Sequence, residues 1–138
     1  MKLRMTGIGR VVATRELRLS RRTKVTVEIG KPRKFRGSPD YFCPIRIRGM
    51  GDDFLSRTGG VDAIQALEFA LVYLGSKLYY SDEAKAGKLT WDYGEVDGDL
   101  GLPLMEVAKK DVLPEKVSHI YLYRPNPPRP KAKRKSKK

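Results

Sequence analysis

Apolar and polar residues alternate in two stretches near the start of the chain. Leu17 and Leu19 alternate with Glu16 and Arg18, and Val25, Val27 and Ile29 alternate with Lys24, Thr26 and Glu28. A period of two sends one set to each face, so both stretches predict half-buried strands. Residues opposed in an antiparallel pair share a face, which sets Leu19 opposite Val25 and Leu17 opposite Val27. That register leaves Arg21-Arg22-Thr23 as the hairpin loop and makes Glu16 the cross-strand neighbour of Glu28. A third strand is expected over 41–49, with Cys43, Ile45 and Ile47 inward and Arg46 and Arg48 outward. Pro44 has no N–H to give to a ladder, so an open edge or a bulge is expected there. The intervening KPRKFRGSPD, rich in Pro, Gly and basic residues, reads as a loop. Phe54 to Arg57 predicts a short fourth strand, broken off by Gly59-Gly60.

The pattern then changes period. Ile64, Leu67, Leu71, Leu74 and Leu78 recur at steps of three and four and predict a helix with one buried stripe. Asp62 is its expected N-cap, with Gln65 three positions on as the capping-box partner. Phe69, Tyr73 and Tyr80 fall on nearly the opposite side. Two readings of that second apolar face stand: a cover from Trp91 and the C-terminal strand, or an interface with a partner or a second copy of the chain. Beyond Gly87 the pattern weakens. LTWDYG reads as a short strand, GLPLMEVAKK as a helical turn or two, and HIYLYR as a last strand. From Pro125 the chain is PNPPRPKAKRKSKK, which has nothing to bury and is expected to be disordered. The expected fold is α+β: an antiparallel sheet of three to five strands on one main helix, a single domain over 1–123, with a basic tail over 124–138.

Composition narrows the functional classes. The 138 residues include 29 Lys and Arg against 16 Asp and Glu, a formal charge of +13. The charge is unevenly spread. Met1 to Met50 carries 14 basic and 3 acidic residues, Gly51 to Tyr123 carries 7 and 13, and Arg124 to Lys138 carries 8 and none. Such an asymmetry points to a polyanion partner. No stretch approaches the ~18 apolar residues of a membrane span, and the first residues lack the apolar run of a signal peptide, so no membrane is expected and the cytoplasm is. A single cysteine, Cys43, excludes an internal disulfide framework, and a single histidine, His119, excludes a site built on several imidazoles.

The candidate chemistry is therefore electrostatic. The candidate nucleic-acid contacts are Arg21, Arg22, Lys31, Arg33, Lys34 and Arg36 in the hairpin and loop, Arg46 and Arg48 on the next strand, and Arg124, Arg129, Lys131, Lys133, Arg134 and Lys135 in the tail. Tail charges attract nucleic acid through counterion release without reading its sequence. Phe35 and Tyr41 lie among the loop basics, and aromatics beside cations are how single strands are held. For Arg46 and Arg48 the stronger reading is neutralisation of Glu16 and Glu28. Asp92, Glu95, Asp97, Asp99 and Glu106 approach the spacing of a calcium loop, but its glycine is displaced and its first position is Glu, so a solvated loop or one docked on the basic half is preferred. No catalytic residue, metal site or cofactor is expected. Cys43 faces inward, GMGDD lacks the lysine of a phosphate loop, and Asp52 and Asp53 are adjacent on a turn and diverge.

The strand YFCPIRIRGMGD followed by the helix GVDAIQALEFALVYLGSKLYY resembles a family of small bacterial domains of unknown function. The helix opening is also similar, more weakly, to immunity proteins of bacterial toxin systems. The resemblance implies a bacterial source and a sheet-plus-helix fold, and it carries no catalytic residues. Two functions are therefore expected to compete: a non-enzymatic binder of nucleic acid or another polyanion, and a protein-interaction module such as an immunity protein.

Overall fold

Strong alternation becomes strand, and the strands form one antiparallel sheet. In the computed structural model the described residues are 7–104. They comprise β1 (Val11–Leu19), β2 (Thr23–Gly30), β3 (Arg33–Lys34), β4 (Tyr41–Arg48), β5 (Phe54–Gly60), helix α1 (Ala63–Tyr79), the single-turn helix α2 (Asp82–Lys85) and β6 (Leu89–Thr90). The strand order is β3-β4-β2-β1-β6, with β5 also on β4. The fold expected from the pattern, an antiparallel sheet on one main helix, is the one observed.

The β1–β2 register differs from the expected one by two residues. Leu17 lies opposite Val25 and Leu19 opposite Thr23. The cause is the turn: Ser20 and Arg21 both adopt positive φ, 56° and 64°, and Arg22 N–H donates to Leu19 O at 3.2 Å. Tight hairpins favour that left-handed backbone, but Asn and Gly usually supply it, so Ser-Arg gave no signal. A shift of two keeps every side chain on its face. It does separate the glutamates: Glu16 faces Thr26, and Glu28 faces Thr14.

Pro44 sits in the middle of the sheet. β5 pairs with β4 from Tyr41 to Ile47, so β2 and β3 must share the other edge. On that edge β2 ends at Ile29 opposite Ile45, and β3 resumes at Arg33 opposite Phe42. Three residues, Gly30 to Pro32, thus lie opposite two, Cys43 and Pro44, without a ladder pair on that edge. The edge is open at Pro44, one of the two expected outcomes, so a missing N–H there costs no ladder bond. The loop expected at KPRKFRGSPD contains β3, and Gly59-Gly60 continues β5 rather than ending it.

Asp62 caps α1 as expected. Its Oδ1 accepts from Gln65 N–H at 2.8 Å, and Gln65 Oε1 accepts from Val61 N–H at 2.9 Å. The buried face is turned away from the expected leucine stripe. Ala66, Ala70, Leu74 and Leu78 meet the sheet, while Leu67 and Leu71 are half-buried and Ile64 is 72% exposed. Small residues let the helix lie close to β4 and β5: Thr58 Oγ1 donates to Ala66 O at 2.8 Å, a direct bond between sheet and helix. The core joins this face to Leu17, Val25, Val27, Ile29, Cys43, Ile45 and Ile47, and Leu100, Leu102 and Leu104 close it.

Trp91 does not cover the aromatic helix face. It lies beneath Arg15, whose guanidinium sits 4.1 Å from its ring centre. Tyr73 leans instead on Phe54, edge to face at 6.0 Å, while Phe69 stays 49% exposed. Gly101 to Leu104 run without helix. The rest of GLPLMEVAKK, the strand expected at HIYLYR with His119, and the basic tail lie outside the described residues. No helix among the described residues is long and apolar enough to cross a membrane.

Candidate functional site

Strand register separates the hairpin arginines from the loop cations and sets Arg46 and Arg48 on the same sheet face as Arg33. Arg46 and Arg48 lie beside Glu28 on the face turned from α1. Arg46 Nε donates to Glu28 Oε1 at 2.7 Å, and Arg48 Nη2 donates to Oε2 at 3.2 Å. One largely buried carboxylate thus holds both arginines. Glu16 is bridged by Lys24 at 3.3 Å, and Arg18 by Asp92 at 3.1 Å. These cations are structural. The expectation that they neutralise strand glutamates holds for Glu28, whereas Glu16 takes a lysine of the neighbouring strand.

Arg21 and Arg22 occupy the β1–β2 tip and are exposed. Arg33, Lys34 and Arg36 are at the other end of β2, whose residues at ~3.4 Å each put roughly 27 Å between the two groups. A single positive surface running from the hairpin to the loop is therefore replaced by two separate basic ends. Lys31 is exposed near the second, its backbone N–H bonded to Arg10 O at 2.7 Å. The tail residues Arg124, Arg129, Lys131, Lys133, Arg134 and Lys135 fall outside the described residues.

The second end has an internal architecture. Opposed residues share a face, so Arg33 and Phe42 project together, as do Arg57 and Pro44. Phe35 follows on the same side, its ring centre 4.9 Å from that of Phe42 and tilted by 43°. Arg33 lies 5.0 Å from the Phe42 ring centre, and Arg57 lies 5.0 Å from those of both Phe42 and Phe35. The Phe35 ring passes over Gly59, which leaves it room. Lys34 and Tyr41 pair in the same manner across the strands, 5.9 Å apart. The Phe35–Asp40 turn is closed by three bonds: Phe35 N–H to Asp40 O, Ser38 N–H to Phe35 O and Asp40 N–H to Ser38 Oγ. Arg36 is exposed on that turn.

Arg33, Lys34, Arg36 and Arg57 form no ion pair among the described residues. Two guanidiniums touching one ring lie within twice 5.0 Å of each other, inside about one Debye length at 0.1 M salt. Their repulsion is unrelieved by a carboxylate. The arrangement favours an incoming anion, and the aromatic contacts hold the cations in place to meet it. Arg57 escaped the sequence reading because it stands alone in a short strand. Only its pairing with Pro44 brings it to the aromatic pair.

The remaining candidates are engaged elsewhere. Cys43 is wholly buried, its Sγ donating to Gly30 O at 3.5 Å, and burial raises its pKa from 9.0 to about 11. Asp99 is a loop latch: its carboxylate accepts from Glu95 N–H at 2.9 Å and Gly101 N–H at 2.8 Å. Among the described residues no group of three or more His, Cys, Asp or Glu side chains is placed to hold a metal ion. Asp52 and Asp53 border a cleft of about 550 Å³ with Asp82, Glu83 and Lys77, floored by Phe54 and Tyr80. Cys43 is not on it, so the cleft brings no thiol to those carboxylates.

Comparison with curated proteins and with solved structures returns no match. A family model matches residues 13–104, from β1 to the segment that closes the core. The chain therefore belongs to the family described as domain of unknown function DUF6968.

Proposed function

We propose that this domain binds a polyanion, nucleic acid foremost, without cleaving it, and does so in the cytoplasm. The observation that carries the reading is the pair Arg33 and Arg57, seated on Phe42 with no acidic partner among the described residues. Lys34 and Arg36 extend the same end, and the eight cations of the tail add affinity that does not depend on sequence. A non-enzymatic role is supported by the Cys43 thiol, sealed in the core, and by the Asp99 carboxylate, spent on loop closure.

The test is a salt series of full-length protein against DNA and RNA oligomers. Each phosphate neutralised on duplex DNA contributes about 0.9 to the slope of log affinity against log salt. The double variant Arg33→Gln/Arg57→Gln should reduce that slope by about 2. An unchanged slope assigns the binding to the tail and ends the claim for this site.

A protein-interaction module is the second reading. It is favoured by Ile64, which faces solvent from α1, and by the half-exposed Phe69. The acidic loop is the weaker surface for a partner, because Asp92 and Asp99 are engaged within the fold.

A further inference from the structure

We infer that the Arg33–Phe35–Phe42–Arg57 corner is a stacking platform for an unpaired nucleobase, which makes its ligand single-stranded nucleic acid. The inference rests on the polyanion reading and narrows it. A generic basic patch needs only charge, and flexible lysines serve as well as anything. This corner is built differently. Its two cations are guanidiniums, each with its central carbon 5.0 Å from the Phe42 ring centre, and Arg57 is equally close to Phe35. Phe35 is half-buried rather than sealed, and its backbone is fixed by the Phe35–Asp40 turn. Planar groups set at fixed positions, with N–H donors around their edges, match a base that stacks and a phosphate that bridges. Arg36 is exposed on the adjoining turn and adds a further cation at this end.

Duplex ends the match. Its bases are already stacked and paired, and extracting one costs a few kcal/mol. A duplex would meet this corner only through its phosphates.

The experiment compares three probes of equal phosphate count: a thymidine oligomer, the same backbone without bases, and a duplex. All are titrated against full-length protein at one salt concentration, with a uridine oligomer as the RNA arm. The thymidine strand should bind at least about ten-fold more tightly than the abasic one, as expected for one stacked base. Arg57→Lys keeps the charge and removes the planar group, and Phe35→Leu keeps apolar bulk and removes the ring. Each should bring the ratio of thymidine to abasic affinity down from about ten to about one.

Equal binding of the thymidine and abasic strands by the parent protein overturns the stacking inference and leaves the polyanion reading standing. Failure of every probe to bind at low salt removes both. A thermal melt shows whether Phe35→Leu still folds, and if it does not, Arg57→Lys decides alone.

Discussion

Arg46 and Glu28 stand directly opposite one another on neighbouring strands and are joined at 2.7 Å, with the Glu28 side chain only 9% exposed. Arg48 takes the second carboxylate oxygen from the next position on the same face. Glu28 is thus the hub of a three-residue network at the middle of the sheet. Glu28→Gln keeps the shape and removes the charge, leaving two guanidiniums facing a neutral amide. Both arginines reach water in part, so the expected loss is about 1–3 kcal/mol, below that of a fully buried pair. Urea denaturation measures it. A loss under about 0.5 kcal/mol means the network contributes little. Arg46→Gln should likewise weaken the fold while leaving oligonucleotide affinity unchanged, because that cation is already engaged.

Arg15 ties the strap after β6 to the sheet. It donates from Nη1 to Leu100 O at 3.0 Å and to Gly101 O at 2.7 Å, with Trp91 beneath its guanidinium. Arg15→Met retains much of the packing and removes both bonds. It should cost about 1–3 kcal/mol, since two carbonyls lose a charged donor. Trp91 is the chain's single tryptophan, so its fluorescence reports the change directly. A red-shifted emission in native buffer is the expected result, and an unshifted spectrum would show the strap held by its leucines alone.

The parts of this fold legible in the sequence were those governed by local chemistry. Alternation gave the strands and their faces, and Asp62 with Gln65 gave the start of α1. The rest depended on contacts between distant residues. The helix presents Ala66 and Ala70 to the sheet because a close approach requires small residues, and hydrophobicity alone pointed to Ile64. The register turned on Ser20 and Arg21, whose left-handed backbone no residue preference announces. The site was half legible. Arg33, Lys34, Arg36 and Phe35 stood out as a basic, aromatic loop, but Arg57 joins them only through its place on β5. Arg46 and Arg48 were legible as partners of strand glutamates, and the register gives both of them to Glu28.

Gly75 lies inside α1, where exchange for alanine normally stabilises by up to about 1 kcal/mol. Here the sign should reverse. A Cβ at this position would collide with the backbone carbonyl of Pro103, in the strap that closes the core. Gly75→Ala must displace either the helix or the strap, a clash of the kind that costs roughly 1–3 kcal/mol. Thermal unfolding of the variant gives the sign, and faster exchange of the Leu100 amide, which bonds to Tyr79 Oη at 2.8 Å, locates the displacement.

Cys43 links the core to alkaline stability. Its pKa rises from 9.0 to about 11 because burial penalises the thiolate. Between those values the folded chain keeps a proton that the unfolded chain has released. Stability therefore falls as pH climbs from 9 to 11, by a total on the order of 2 kcal/mol, and the thiol costs nothing below 9. Other groups titrate in the same range, so the comparison is with Cys43→Ala, which lowers stability at every pH but lacks this contribution. The gap between parent and variant should shrink steadily from pH 9 to 11. Native protein at pH 8 should react with a thiol reagent far more slowly than denatured protein, because reaction needs both exposure and the thiolate. A gap that stays constant across that range would place the folded thiol's pKa near its ordinary value, with the cysteine reached by solvent.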